Sequence, residues 1–155
     1  TRELAERGDL LTHNKDKAVL TLMQLDDLIE MNFKTVNQHM TLGEMLHESV
    51  AKSTRNIFPV VDSQEALVGI ILLDDIREFM FDTTLYKSTK AITFMQKPPE
   101  IIFYGQDKMQ AIMQKFQDSG AWNLPVVKDG KYLGFVSKSK LLTAYRRELI
   151  NFTGN

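Results

Sequence analysis

The sequence predicts an α+β fold made of two β-α-β-β-α repeats packed about a pseudo-two-fold axis. Three observations lead there. The segment Ile57-Phe58-Pro59-Val60-Val61-Asp62 recurs 66 positions later as Asn123-Leu124-Pro125-Val126-Val127-Lys128. Leu67-Val68-Gly69-Ile70-Ile71 recurs as Tyr132-Leu133-Gly134-Phe135-Val136 once a single residue is gapped. Upstream, Thr41-Leu42-Gly43-Glu44-Met45 aligns with Asp107-Lys108-Met109-Gln110-Ala111, and Thr21-Leu22-Met23-Gln24 resembles Thr93-Phe94-Met95-Gln96. Matched blocks in one order define two copies of a unit of about 60 residues.

The elements follow in order. Residues 1–27 read as a helical lead-in followed by an extended stretch. Residues 28–85 form the first repeat, 86–150 the second, and 151–155 a tail. Thr35-Val36 is a short β-rich piece. Thr41 with Glu44 three residues on is a capping-box signature, followed by an apolar stripe of Leu42, Met45, Leu46 and Val50. The apolar, β-branched runs on either side of the 62–66 loop are strands, and residues 74–81 close the first repeat as a helix. Residues 88–99 are the linker. In the second copy, Ile101-Ile102-Phe103 is the short strand, and Asp107 with Gln110 is a looser capping pair. The stripe Met109, Ile112, Met113 and Phe116 marks its helix. Asp129-Gly130 between two apolar runs is a two-residue hairpin signal. Residues 139–150 form the last helix. Each unit alone leaves an apolar face that its sister covers, so clefts are expected between the copies.

Composition narrows function. The chain has 155 residues, 43% hydrophobic and 25% charged, which suits a globular fold with a real core. With 19 Lys+Arg against 20 Asp+Glu the formal net charge is −1, and no basic stripe points to nucleic acid. The absence of cysteine excludes disulfides, cysteine zinc sites and thiol catalysis. No apolar run approaches the ~18 residues of a membrane span, and no signal peptide opens the chain. It begins at Thr1, from which a piece of a larger protein is expected. No Walker A or Rossmann glycine pattern occurs. His13, His39 and His47 lack metal-ligand spacing. Asp26, Asp27 and Glu30 cluster without an acid–base partner and read as capping or solvating a turn. Arg2, Arg7, Lys15 and Lys17 read as a solvated segment, or as one meeting an anionic membrane face. The expectation is a non-enzymatic protein.

The repeat resembles the CBS domain, and the pair resembles a Bateman module, over about residues 17–150. Phe58-Pro59-Val60-Val61-Asp62 with the run from Leu67 to Ile76, and Leu124-Pro125-Val126-Val127 with the run from Leu133 to Lys140, carry the resemblance. A narrower one joins the opening run from Thr1 to Gly8, Leu10-Leu11-Thr12, Ala121-Trp122-Asn123-Leu124-Pro125 and the run from Gly134 to Lys140. These resemble the C-terminal region of prokaryotic CLC-type chloride channels and transporters. That implies the cytoplasmic regulatory part of an inner-membrane protein. Its partners would be a second copy and the membrane-embedded domain of the same parent chain.

The CBS resemblance implies a site for an adenine nucleotide, with ATP, ADP or AMP as regulatory ligand and no required cofactor. In such domains a Gly-x-x-Thr/Ser-x-x-Asp pattern follows the third strand, the Asp accepting both ribose hydroxyls. Here the first copy has Asp75 at the ribose position but Leu72 in place of the hydroxyl. The second has Ser137 but Lys140 in place of the Asp, which cannot accept the ribose bonds. Thr35 and Ile57 join Asp75 on the wall of the better candidate site. Lys140 could meet a phosphate as a point charge. The simpler alternatives are that Asp75 serves the helix dipole, that Ser137 or Ser139 is an N-cap, that Lys138 and Lys140 are solvated, and that Trp122 packs. The competing function is a ligand-free dimerisation module using apolar positions such as Ile76, Phe79, Met80, Phe81, Leu141, Leu142, Tyr145 and Leu149. A CBS pair regulating some other transporter or an enzyme is the remaining alternative.

Overall fold

The computed structural model describes residues 16–153. The expectations placed on Thr1 to Thr12, His13 and Lys15 therefore lie outside the described residues. Residues 16–22 form helix α1. The first sheet has the order β1-β2-β3, with β1 (Val36–Asn37) parallel to β2 (Ile57–Val61) and β2 antiparallel to β3 (Leu67–Leu72). The second repeats it: β4 (Ile102–Phe103) is parallel to β5 (Asn123–Lys128), which is antiparallel to β6 (Lys131–Ser137). Both hairpins shift register at the same place in the repeat, between Val60 and Val61 and between Val126 and Val127. Each copy is thus the expected β-α-β-β-α unit, and the chain is the α+β pair that its repeats predict.

Local chemistry explains the elements. Helix α2 (Leu42–Met45) begins in a complete capping box: the Glu44 N–H donates to Thr41 Oγ1 (3.2 Å), and the Thr41 N–H donates to the Glu44 carboxylate (3.2 Å). It widens into a π turn, Leu46–Val50, which buries Ser49; the Ser49 hydroxyl donates to the Thr35 carbonyl at 2.7 Å. Asp129 and Gly130 both take positive φ (51° and 79°), as the tightest hairpin turn demands. Helix α4 (Met109–Ser119) buries Met109, Ile112 and Phe116 from the expected stripe, and Gly120 ends it in the left-handed region.

Three expectations are corrected. Residues 74–81 are not one helix: α3 (Leu73–Ile76) gives way to a 3₁₀ turn, Arg77–Phe79, and the Tyr86 hydroxyl donates to the Met80 carbonyl just beyond. Asp107 does not cap α4. Its carboxylate instead accepts the Phe103 N–H (2.8 Å) and pairs with Lys115 (2.7 Å), while Lys108 holds the cap position with no side-chain bond. The third correction concerns the upstream register. Gln96 is matched in space not by Gln24 but by Glu30, 66 positions before it.

That last pairing organises the molecule. Glu30 and Phe135 exchange backbone hydrogen bonds of 2.8 and 3.0 Å, and Ile70 and Gln96 exchange a pair of 2.9 Å. The segment ahead of each repeat's first strand therefore adds a bridge to the other repeat's hairpin. The cores are shared accordingly. Leu20, Met23 and Leu28 are buried with Ile112, Phe116, Leu124 and Leu141 of the second repeat. Ala91 is buried with Val36, Leu42, Phe58 and Ile71, and Phe94 and Met95 pack against them. A third, smaller core of Phe33, Ile70 and Phe135 joins the two sheets. Helix α5 (Lys138–Thr153) leaves β6 directly and buries Leu141. Among the described residues no helix is long and apolar enough to cross a membrane.

Candidate functional site

The strand starts and lead-ins of the two repeats converge on a cleft of about 730 Å³. Its walls are related by the pseudo-two-fold. Phe33, Asn56 and Ile57 line it from the first repeat, and Pro99, Trp122 and Asn123, each 66 positions further on, line it from the second. The volume is in the range of small-molecule and cofactor sites. An occupant would touch both repeats at once.

The polar lining comes from Thr54, Arg55, Gln96, Lys97 and Asp74, together with the amides of Asn56 and Asn123. Arg55 is the best anchored. Its guanidinium donates to Glu30 at 2.7 Å and to Asn32 at 2.6 Å, and it lies 4.5 Å from the centroid of the Phe33 ring. Stacking on an aromatic face while filling a carboxylate is a task suited to arginine rather than lysine. Phe33 in turn meets Phe135 at 4.6 Å, and Tyr132 meets Phe135 edge-on at 5.9 Å. Burial pushes the Tyr132 phenol well above its ordinary pKa, against a weaker opposing pull from Arg55. Asp74 is exposed and pairs with Arg77 at 3.1 Å.

The residues singled out from sequence are distributed unequally around this cleft. Ile57 lines it. Asp75 stands beside it: its carboxylate accepts a hydrogen bond from Gln96 Nε2 at 3.0 Å, and Gln96 is on the wall. Thr35 is exposed, with its carbonyl taken by Ser49. Ser137 acts as a helix cap, its Oγ accepting the Lys140 N–H at 3.0 Å. Lys140 lines a separate groove of about 160 Å³ with Asp27, Arg147 and Glu148. Trp122 does not pack as expected. It is 69% exposed and lines the cleft, with Lys138 Nζ 5.2 Å from its ring centroid.

Sequence reasoning missed Arg55, Phe33, Gln96 and Lys97. None lies in a matched block of the repeat except Gln96, and that one was matched to the wrong partner. In the sequence Glu30 stands out only as part of an acidic cluster. Its actual tie is to Arg55, while Asp26 accepts a hydrogen bond from Tyr104 Oη at 2.7 Å. Among the described residues no group of His, Cys, Asp and Glu could hold a metal ion.

Paired β-α-β-β-α units, cross-bridged by their lead-ins around a shared cleft, define a tandem two-repeat module. The chain belongs to the CBS domain family, whose model matches residues 25–82 and again 90–147. Solved structures of similar fold include a CBS domain protein from Streptococcus pneumoniae TIGR4, at 18% identity and TM-score 0.67, covering 90% of this chain and 97% of that one. The CBS domain of a CBS domain-containing membrane protein from Sphaerobacter thermophilus is 22% identical, TM-score 0.66, covering 87% and 97%. CbpB in complex with c-di-AMP is 21% identical, TM-score 0.68, covering 91% and 96%. CbpB has also been solved from Streptococcus agalactiae. No curated protein sequence matches the chain.

Proposed function

We propose that this CBS pair is a regulatory module that takes an adenine nucleotide in the cleft between its repeats and passes the occupancy to an attached protein. The observation that carries this reading is the cleft itself, about 730 Å³ and walled by two-fold-related positions of both copies. A ligand there gains contacts from both repeats, so it biases any equilibrium between two arrangements of the pair by its differential affinity for them. Asp75 is the candidate for the ribose hydroxyls, and Ile57 offers apolar wall beside it; Thr35 is the outlying candidate. Ser137, whose Oγ accepts the Lys140 N–H while its own O–H remains a donor, and Lys140, which lines the separate groove, are the further candidates. The c-di-AMP complex of CbpB supports an adenine-type ligand by likeness of fold.

The attached protein we infer to be a CLC-type anion channel or transporter, with this chain as its cytoplasmic, homodimeric regulatory region. The local resemblance at Ala121 to Pro125 and at Gly134 to Lys140 supports that choice. Calorimetric titration with ATP, ADP, AMP, adenosine and c-di-AMP tests the ligand, with Asp75→Ala alongside. Saturable binding weakened by the substitution is expected. Binding that ignores the substitution removes Asp75 from the site. A folded protein that gives no heat with any adenosine compound favours a second reading, assembly without ligand. The exposed Phe81 (87%), Ile150 (66%) and Phe152 (48%) speak for that reading, and a concentration-dependent dimer mass would be its signature.

A further inference from the structure

The two halves of the cleft share a backbone but not a chemistry. In the first repeat the Leu73 N–H donates to the Asn56 carbonyl at 2.8 Å, tying the helix start to the residue before β2. In the second repeat the same bond, also 2.8 Å, runs from the Lys138 N–H to the Trp122 carbonyl. The two-fold thus sets an amide and an aliphatic chain opposite an indole and an ammonium. Trp122 is the chain's only tryptophan, 69% exposed on a concave wall, and Lys138 Nζ stands 5.2 Å from its ring centroid. A lone exposed apolar residue means little. An exposed indole on the wall of a cleft, with its main chain fixed by that bond and a cation at its ring, is a surface for a flat aromatic group that carries negative charge.

We infer that Trp122 and Lys138 form the base-and-phosphate end of the cleft: the ligand's purine stacks on the Trp122 ring and Lys138 meets its phosphate. The inference rests on the nucleotide reading above and is independent of whether Asp75 holds the ribose. It makes the second repeat, the one lacking the ribose-binding carboxylate, the half that holds the base.

Because Trp122 is the sole tryptophan, its fluorescence reports on stacking directly. The probes are adenosine, AMP and ATP, titrated by fluorescence and by calorimetry on the same protein. AMP and ATP are expected to quench the emission saturably, at the midpoint that calorimetry gives. Trp122→Leu should weaken AMP at least about fivefold and Trp122→Phe much less, since loss of a base-stacking ring costs about that much or more. Lys138→Met should weaken AMP and ATP on the order of tenfold, as for a lost charge-assisted bond, and leave adenosine unchanged. Trp122 is exposed and Lys138 partly buried, and circular dichroism checks that each variant folds. Calorimetric binding without a fluorescence change, and with Trp122→Leu binding as the parent does, overturns the inference while the nucleotide reading stands. Equal weakening of adenosine and AMP by Lys138→Met removes the phosphate role. No heat with any of the three from folded protein overturns both.

Discussion

Gly134 lies directly beneath Glu30: a Cβ on Gly134 would stand 2.5 Å from the Glu30 carbonyl oxygen and 2.8 Å from Ile29 Cγ2. The glycine that marks each repeat is therefore not there for a turn. It is where the segment ahead of one repeat's first strand crosses the other repeat's hairpin. At Gly69 the crossing chain is Met95-Gln96, and the nearest backbone atom to a Cβ is the Gln96 oxygen at 3.0 Å.

The two crossings respond differently to the same substitution. At Gly134 the obstacle is backbone, pinned by the Glu30–Phe135 hydrogen bonds. At Gly69 the closest atoms are Met95 Cγ and Sδ, which a side-chain rotation can move, and the pinned backbone stands further off, the Gln96 oxygen at 3.0 Å. Gly134→Ala is expected to cost about 1–3 kcal/mol, the usual range for overpacking, and Gly69→Ala less. Urea unfolding midpoints decide it, and a costlier Gly69→Ala would mean that Met95 has nowhere to go.

Much of the fold was legible because the repeat was. Two copies of Pro-Val-Val, a capping box at Thr41 and the Asp129-Gly130 turn are local signals, and each is read off a few adjacent residues. What escaped was what the copies do to each other. The match of Gln24 to Gln96 followed side-chain likeness, whereas backbone pairing matches Glu30 to Gln96 although their chemistries differ. The site suffered for the same reason. Ile57 sits in a matched block and lines the cleft, but Arg55 and Phe33 earn their places only through partners 22 to 25 residues apart, or across the interface at Phe135. Trp122 was read by residue type, which favours packing; only the concavity beside it argues otherwise.

Arg55 joins the lead-in to the cleft wall, so its loss should be felt in stability. The Glu30 pair is half-buried, at 31% and 21% side-chain exposure, which places it between a surface bridge and a buried one. Arg55→Ala is expected to cost about 1–3 kcal/mol, and Arg55→Lys to recover only part, because a lysine cannot span Glu30, Asn32 and the Phe33 ring together. A double-mutant cycle with Glu30→Gln measures the shared part. Strict additivity would show that the contact contributes nothing.

The Tyr132 hydroxyl is buried and has no protein hydrogen-bond partner among the described residues. Its ring, not its oxygen, serves the joint between the sheets. Tyr132→Phe should therefore leave stability unchanged or raise it by up to about 1 kcal/mol, while Tyr132→Ala opens the aromatic joint and costs about 3 kcal/mol or more. A loss with Tyr132→Phe comparable to that with Tyr132→Ala would show the hydroxyl to be bonded. Thermal melts of the two variants suffice.

Tyr145 and Asp16 tie helix α5 to helix α1, the Tyr145 hydroxyl donating to the Asp16 carboxylate. That bond is the main cause that pushes the phenol from 10.0 up to about 12, with burial and the Asp16 charge adding in the same direction. The sign follows from the protonated form being the bonded one. Below the unfolded value near 10 the stabilisation is complete; as pH rises toward the folded value of about 12, the phenolate forms, faces a carboxylate, and the contribution is lost. Alkaline titration should therefore loosen the α1–α5 contact between about pH 10 and 12. Tyr145→Phe should lose the bond at neutral pH and abolish this part of the alkaline slope. Hydrogen exchange of the amides in residues 16–22, compared at pH 9 and 11 after correction for the intrinsic rate, reads the contact locally. Protection that falls equally in the parent and in Tyr145→Phe would assign the alkaline transition to another group, Tyr104 with its bond to Asp26 being the next candidate.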